Sequence, residues 1–384
     1  MRIGVAGAGA MGSGIAQTAA MAGHTVLLFD ESKQAVEKAF SSITSSLQKL
    51  EEKRKIKNAG EVIKKITAIE ALKDFAPCGF FIEAIIENLE AKRKLFSAVE
   101  AVISDECILA SNTSSLSIAS LAASCKNPER FIGVHFFNPP VLMKLVEIIP
   151  GIRTSQEVTV QTLRLIQSWS KTTVIAEDTP GFIVNRIARP YYGEAIRIFE
   201  EGIASPATID HAMKTLGGFK MGPFELMDFI GNDINFNVTE TVWQQMFYDA
   251  RYRPSQTQKR LYEAGMFGRK SGRGYYEYKD GQAVIPPPAE DKKLLEEIFM
   301  RILFMLINEA ADALHFQIAS AQDIETAMTL GVNYPKGLLH WADETGIEKV
   351  YRTLLQLNDT YREERYRPSV LLKRKVEFKE KFFK

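Results

Sequence analysis

Cysteine is scarce in this chain: three residues in 384, Cys78, Cys107 and Cys125. None forms a CxxC pair and no cysteine–histidine cluster has zinc-ligand spacing, so neither a disulfide framework nor a metal site is expected. Three reduced, mostly buried thiols fit a reducing compartment, the cytoplasm. Charge of one sign is not in excess either. Lys and Arg number 48 against 47 Asp and Glu, a formal net charge of +1, which gives no reason to expect nucleic acid or an anionic membrane as partner. Long apolar runs are also missing. Glu83 and Glu87 interrupt even the stretch around Phe80–Ile86, and nothing reaches the ~20 apolar residues of a spanning helix. The N-terminus leads directly into an apolar strand, so no secretory signal is expected.

What is present is ordinary for a globular chain: 46% apolar and 25% charged residues, enough for two or three domains with their own cores. From Met1 to about Glu177 strands and helices alternate. Strands fit Arg2–Ala6, Thr25–Asp30, Phe80–Ile86, Ile108–Ser111, Phe131–Phe137, Lys144–Ile149 and Thr173–Glu177. Helices fit Met11–Ala22, Leu89–Ile103 and Gln156–Ser170, with a long polar helical stretch from Ser32 to about Asn58. That alternation predicts βαβ units and a mainly parallel sheet. Near residue 180 strand signals give way to long helical patterns.

The helical half repeats itself. Ile209-Asp210-His211-Ala212-Met213 returns as Ile324-Glu325-Thr326-Ala327-Met328, and Glu194-Ala195 as Glu309-Ala310, both 115 positions on. Tyr252-Arg253-Pro254-Ser255 returns 114 positions on as Tyr366-Arg367-Pro368-Ser369. A near-constant offset predicts two homologous helical domains. The expected organisation is an α/β dinucleotide-binding, doubly wound (Rossmann-type) domain over 1–180 and all-α domains over 181–280 and 291–384. A Pro-rich linker at 281–290 joins the two all-α domains.

Gly7-Ala8-Gly9-Ala10-Met11-Gly12 is a GxGxxG directly after a strand and at the start of a helix, the context a dinucleotide fingerprint requires. Gly7 permits the tight turn, Gly9 the approach of a pyrophosphate to the backbone, and Gly12 the close packing of helix on strand. The helix N-terminus then faces the phosphates. Asp30 ends the second strand, where a carboxylate accepts from the adenosine ribose hydroxyls and repels a 2′-phosphate; NAD is therefore expected rather than NADP.

Further along, His135 stands near the end of one apolar strand and Glu147 inside another. A carboxylate among apolar neighbours is costly unless paired, and His135 is the natural partner. Such a pair suits alcohol oxidation, the histidine taking the hydroxyl proton and the carboxylate fixing its tautomer. An isolated histidine in an apolar strand is more often a core residue, so the surrounding motifs decide.

Those motifs are Ala6–Ile15, Ile82–Leu95 (IEAIIENLEAKRKL), Ser111–Leu116 (SNTSSL), His135–Glu147 (HFFNPPVLMKLVE), Asp178–Arg186 (DTPGFIVNR), Met221–Leu226 (MGPFEL) and Gly268–Tyr276 (GRKSGRGYY). Together they resemble the 3-hydroxyacyl-CoA dehydrogenase family over the first roughly 280 residues. The second helical copy resembles the extra terminal domain of longer members. The resemblance implies NAD-dependent oxidation of an L-3-hydroxyacyl-CoA, with the acyl-CoA entering beside the helical domain. It implies His135 as base and Glu147 as its orienting partner. Ser114 would bond the 3-oxygen, Asn185 would close over the site from the helical domain, and Asn138 would support its geometry. NAD contacts are implied at Gly7, Gly9, Met11, Gly12, Asp30, Glu87, Lys92, Ser114 and Asn138, and CoA contacts at Ser46 and Lys53. One departure stands out. Pro140 follows Pro139 where the family commonly has Val or Ala, and Asn-Pro-Pro also occurs in relatives resembling gulonate dehydrogenases. A sugar-acid dehydrogenase is therefore the alternative, and a non-catalytic NAD-binding protein the third reading. Position 300, the counterpart of Asn185, is Met300, so the second copy is expected to be structural. It would stand in for a dimer partner, giving a monomeric pseudo-dimer, with a homodimer as the alternative.

Overall fold

Short apolar strands that alternate with helices bury both faces of a sheet, and the first part of the chain does so. The computed structural model describes residues 1–383 and divides into two units, Met1–Phe182 and Ile183–Lys384. In the first unit the strands are β1 (Arg2–Ala6), β2 (Thr25–Phe29), β3 (Ile66–Ala68), β4 (Phe80–Glu83), β5 (Ile108–Ser111), β6 (Phe131–Phe136), β7 (Leu145–Pro150) and β8 (Thr172–Ile175). They form one sheet in the order β3-β2-β1-β4-β5-β6-β7-β8. Every neighbouring pair is parallel except β6 and β7. The order reverses between β1 and β4, the switch point at whose carboxyl end a doubly wound sheet binds ligands. Both β4 and β6 are buried along their whole length, as strands covered on two faces must be.

The helices of this unit are α1 (Ala10–Met21), α2 (Lys33–Glu52), α3 (Ala59–Ile63), α4 (Leu89–Glu100), α5 (Ile118–Ala122) and α6 (Gln156–Ser168). Small residues let α1 lie close on the sheet: Gly12, Ala16, Ala19 and Ala20 are all buried. By contrast α2 is strongly amphipathic. Ser32 caps it through the Ala35 amide, and only Ala39, Ile43 and Leu47 are buried, one stripe at four-residue spacing.

The second unit is helical: α7 (Val184–Ile187), α8 (Arg189–Glu200), α9 (Pro206–Gly217), α10 (Pro223–Ile230), α11 (Asn232–Gln245) and α12 (Gln256–Glu263), then the hairpin β9 (Glu277–Lys279) and β10 (Gln282–Val284). It continues as α13 (Lys292–His315), α14 (Ala321–Gly331), α15 (Leu338–Thr345), α16 (Ile347–Tyr361) and α17 (Val370–Phe378). The long α13 packs on α8 and α9 as well as on α15, α16 and α17, which explains why residues 301–313 are buried on every side. No helix among the described residues is long and apolar enough to cross a membrane.

Three details depart from the sequence reading. The polar stretch read as one helix to Asn58 stops at Glu52, and a further short helix and the strand β3 follow it. The predicted linker begins inside the β9–β10 hairpin, because Asp280-Gly281 makes a two-residue turn with both residues at positive φ. The repeat also extends to a glycine outside the motifs that identified it. Gly337 caps α15 as Gly222 caps α10. Asp210 accepts the Phe224 and Glu225 amides, and Glu325 accepts those of Leu339 and His340. A Cβ on either glycine would collide with that carboxylate residue.

Candidate active site and dinucleotide cleft

The turn after β1 is shaped by its glycines. Gly7 has φ +101°, and a Cβ there would stand 2.4 Å from the Ala84 carbonyl oxygen. A Cβ on Gly12 would strike the Gly7 carbonyl. Gly9, at the N-cap of α1, has nothing within 4 Å of where its Cβ would be, so the first amides of α1 are open to an incoming group. Met11 follows in the first turn of α1, half-buried. Asp30 is bound to the same turn, its Oδ2 accepting the Ala8 amide at 2.7 Å and its Oδ1 the Ser32 amide at 2.9 Å. Each oxygen retains a lone pair for a hydroxyl. A cavity of about 590 Å³ opens beside this turn, lined by Gly7, Gly9, Asp30, Leu72, Ile85 and Leu95 among others. Backbone donors on one side, a carboxylate at the end of β2 and apolar walls for a flat ring fit a dinucleotide.

Past the switch point lies a charge cluster that only half emerges from the sequence. Lys92, fully buried on α4, reaches Glu83 at 2.5 Å and Glu87 at 3.1 Å. Glu83, at the end of β4, also accepts the Ile85 amide and the Ser111 hydroxyl, both at 2.7 Å. Glu87 gathers the following loop: the Thr113 hydroxyl at 2.6 Å, the Ser114 amide at 3.0 Å and the Ser115 hydroxyl at 3.0 Å. One lysine thus serves two carboxylates. Burial outweighs Lys92 at Glu83 and pushes that carboxyl up. At Glu87 burial acts the same way, but Lys92 and the Thr113 hydroxyl together overcome it and hold the group below its usual range. The sequence reading named Glu87 and Lys92 and missed Glu83, whose position at a strand end was the available signal.

His135 and Glu147 face each other across the antiparallel pair β6 and β7, in direct register. His135 Nδ1 is 2.7 Å from Glu147 Oε2, and both side chains are buried. With Nδ1–H donating to the carboxylate, Nε2 carries the lone pair for a substrate hydroxyl. The SNTSSL loop is tied to this strand end, the Asn112 Oδ1 accepting the Phe136 amide at 2.9 Å. The loop between β6 and β7 has an anchor no sequence pattern announced. The buried Lys171 ammonium donates to the carbonyls of Pro140 at 2.5 Å and Met143 at 2.8 Å. Burial lowers its pKa to about 8. Pro140 itself is buried, and a Cβ on Gly14 of α1 would stand 2.8 Å from its ring. The residue that raised the question of substrate class is therefore packed into the scaffold. Asp178 of the DTPG motif also does structural work. It accepts the Ile118 and Ala119 amides at 2.8 Å and the Ser117 hydroxyl at 3.0 Å.

The other expected residues are distributed. Ser114 is half-buried on the loop held by Glu87, and Asn138 is exposed two residues beyond Phe136. Ser46 sits on α2, where it accepts from Gln17 of α1 at 3.0 Å; Lys53, the C-cap of the same helix, is exposed. Asn185 belongs to the second unit, half-buried in α7, its carbonyl accepting from Arg189 at 2.9 Å.

A strand–glycine turn–helix with an acid at the end of the next strand, on a sheet that also carries a buried histidine–carboxylate pair, defines a dinucleotide-dependent dehydrogenase. Comparison with known proteins gives the family. The model described as "3-hydroxyacyl-CoA dehydrogenase, NAD binding domain" matches residues 2–179, and that of the "3-hydroxyacyl-CoA dehydrogenase, C-terminal domain" matches twice, over 181–278 and 298–382. The chain belongs to the 3-hydroxyacyl-CoA dehydrogenase family, uses NAD, and oxidises a 3-hydroxyacyl-CoA. It is 36% identical to the 3-hydroxyadipyl-CoA dehydrogenase of Escherichia coli, over 97% of each chain. It is 41% identical to a probable 3-hydroxybutyryl-CoA dehydrogenase of Bacillus subtilis, over 72% of this chain and 96% of that one. A crystal structure of 3-hydroxybutyryl-CoA dehydrogenase from Escherichia coli superposes with a TM-score of 0.92 at 36% identity, covering 98% of each chain.

Proposed function

We propose that His135 is the general base for the L-3-hydroxyl of the acyl-CoA, with Glu147 holding its tautomer and stabilising the imidazolium. The observation that carries this is the 2.7 Å contact between two buried side chains on adjacent strands. Bound NAD supplies the hydride acceptor. Gly7, Gly9, Met11 and Gly12 form its phosphate turn, and Asp30 accepts from the ribose. Glu87 and Lys92 lie toward the nicotinamide end and position the loop bearing Ser114, which hydrogen-bonds the 3-oxygen. In the reverse direction, protonated His135 returns the proton to the developing alkoxide. Asn138 completes the polar lining, and Ser46 and Lys53 on α2 take the CoA. The test is NADH oxidation with acetoacetyl-CoA by wild type and His135→Ala in parallel. Rapid turnover by the first and near-loss in the second is expected. Equal rates would remove His135 from the base role. Wild type that binds NADH yet leaves acetoacetyl-CoA unreduced would return attention to sugar acids.

The tandem helical copies support a second part of this reading, a monomeric pseudo-dimer; the cytoplasm as its compartment rests on the three reduced thiols alone. Arg186 of the first copy reaches Glu309 of the second at 2.7 Å, while Arg301 of the second reaches Glu194 of the first at 2.6 Å. Tyr252 and Tyr366 repeat the exchange, at 2.5 and 2.7 Å. Residue i meeting j while j meets i is the signature of an isologous interface, here within one chain. Light scattering should give one chain of 43.1 kDa; a mass twice that would favour the homodimer instead.

A further inference from the structure

The internal symmetry of the second unit fails at one place, and the failure opens a cavity. Arg251, Tyr252, Arg253 and Ser255 recur 114 positions on as Arg365, Tyr366, Arg367 and Ser369, and Gly193 and Arg197 align 115 positions on with Asn308 and Asp312. Around Glu309, the buried Arg251 finds acceptors for both terminal nitrogens, and only its Nε has none. It reaches Glu309 at 3.2 Å, the Asp312 carboxylate, and the Arg367 carbonyl at 3.2 Å. Asn308 fills the space beside it, donating to the Arg367 carbonyl at 3.0 Å and accepting the Ser369 amide at 2.7 Å.

Around Glu194 both fillers are gone. Glycine replaces the asparagine, with nothing within 4 Å of where a Gly193 Cβ would stand. Arginine replaces the aspartate. A cavity of about 290 Å³ results, lined by Gly193, Arg197, Glu200, Arg253, Ser255 and Arg365 among others. Arg365 is only 5% exposed; its Nε lacks a partner as that of Arg251 does, but its terminal Nη1 has only Glu194 at 3.6 Å where Arg251 has hydrogen-bonded carboxylates. Its acidic neighbours stand at ion-pair range, Glu363 at 3.4 Å and Glu194 at 3.6 Å. Both are claimed elsewhere: Glu363 by Arg197 at 3.2 Å, and Glu194 by Arg301 and Tyr366. Glu200, the carboxylate lining the cavity, accepts the Thr257 amide at 3.2 Å. A buried guanidinium short of acceptors is costly, and the symmetry-related cluster shows what is missing: an oxyanion in the place of the Asp312 carboxylate.

We propose that this cavity binds a phosphate group, free or carried on a small ester. Arg365 presents its planar fork to the oxygens, while Arg197 and the exposed Arg253 supply further positive charge. The missing asparagine leaves room for more than a bare ion. This site lies wholly in the helical unit, whereas the histidine–glutamate pair and the glycine turn lie in the other.

The experiment is calorimetric titration of the full chain, saturated with NADH so that the glycine turn is taken, at ionic strength held constant with chloride. Inorganic phosphate and glycerol 1-phosphate are the two probes. Saturable binding of one equivalent is expected. Arg253→Ala, which changes only an exposed side chain, should weaken it at least about tenfold. Gly193→Asn with Arg197→Asp rebuilds the filled arrangement and should abolish binding without lowering the melting temperature. Tighter binding of the ester than of the ion assigns the ester as ligand, and the reverse assigns the free ion. Heats no larger than chloride gives, or undiminished binding in Arg253→Ala and in the double variant, would overturn the proposal.

Discussion

Both units bury charge, and they do so to different ends. In the helical unit the Glu309 cluster is closed, its carboxylate receiving an arginine and a tyrosine from the opposite copy. In the sheet unit the buried groups are satisfied on one side and left with capacity on the other. His135 has one nitrogen on Glu147, and Glu87 binds Lys92 while remaining 37% exposed. A closed set holds structure together, and removal of one member leaves an uncompensated charge. An open set can act on a ligand.

The contrast can be broken at several points. The largest effect is expected at the dyad: His135→Ala should lower kcat by about 10²–10⁴-fold and leave the affinity for NADH nearly unchanged, read by steady-state kinetics and fluorescence titration. Unaltered kcat would put His135 among the structural residues. Next, Glu309→Ala should lower unfolding free energy by ~3–5 kcal/mol in a denaturant titration, since Arg186 and Tyr252 lose their acceptor and Arg251 loses one of its three. Glu194→Ala should match it to the extent that the two clusters are equivalent. A smaller effect separates the two carboxylates on Lys92. Glu87→Gln should raise KM for NADH roughly tenfold, whereas Glu83→Gln should disturb it less, because burial already favours a neutral group there. The smallest is a slope. Lys171 has its pKa lowered from 10.5 to about 8, so across that window the unfolded chain holds a proton that the folded chain does not. Stability should therefore rise with pH from about 8 to 10.5 on this account, and below it the group adds no pH dependence. Lys171→Met should flatten that rise in melts taken at stepped pH.

The sequence was most informative where chemistry and local geometry coincide. The glycine turn after β1, Asp30 at the end of β2, and the apolar-flanked His135 and Glu147 could each be located because a side chain of that type has few other reasons to be there. The repeat was legible because its offset is nearly constant. Other features depend on neighbours distant in the chain. The strand β3 has three residues, too few to show a period, and exists because β2 needs an edge partner. Glu83 looks like the end of an apolar run until Lys92 and Ser111 arrive from α4 and β5. Lys171 has no visible signature, since its partners are backbone carbonyls some thirty residues away. Pro140 raises a question of substrate choice in the sequence, and only the structure shows its ring close to Gly14. The loss of Asn308 and Asp312 equivalents at Gly193 and Arg197 acquires meaning only once the two clusters are seen as mates.

Covalent linkage of the two helical copies has a consequence beyond geometry. Separate subunits part when diluted, and the folded state of an obligate dimer is then tied to protein concentration. Here Glu194 and Glu309 find their arginines at an effective concentration set by the connecting chain. The pairing, and any ordering of α7 and α8 that follows from it, should be as complete in a nanomolar assay as in a crowded cell.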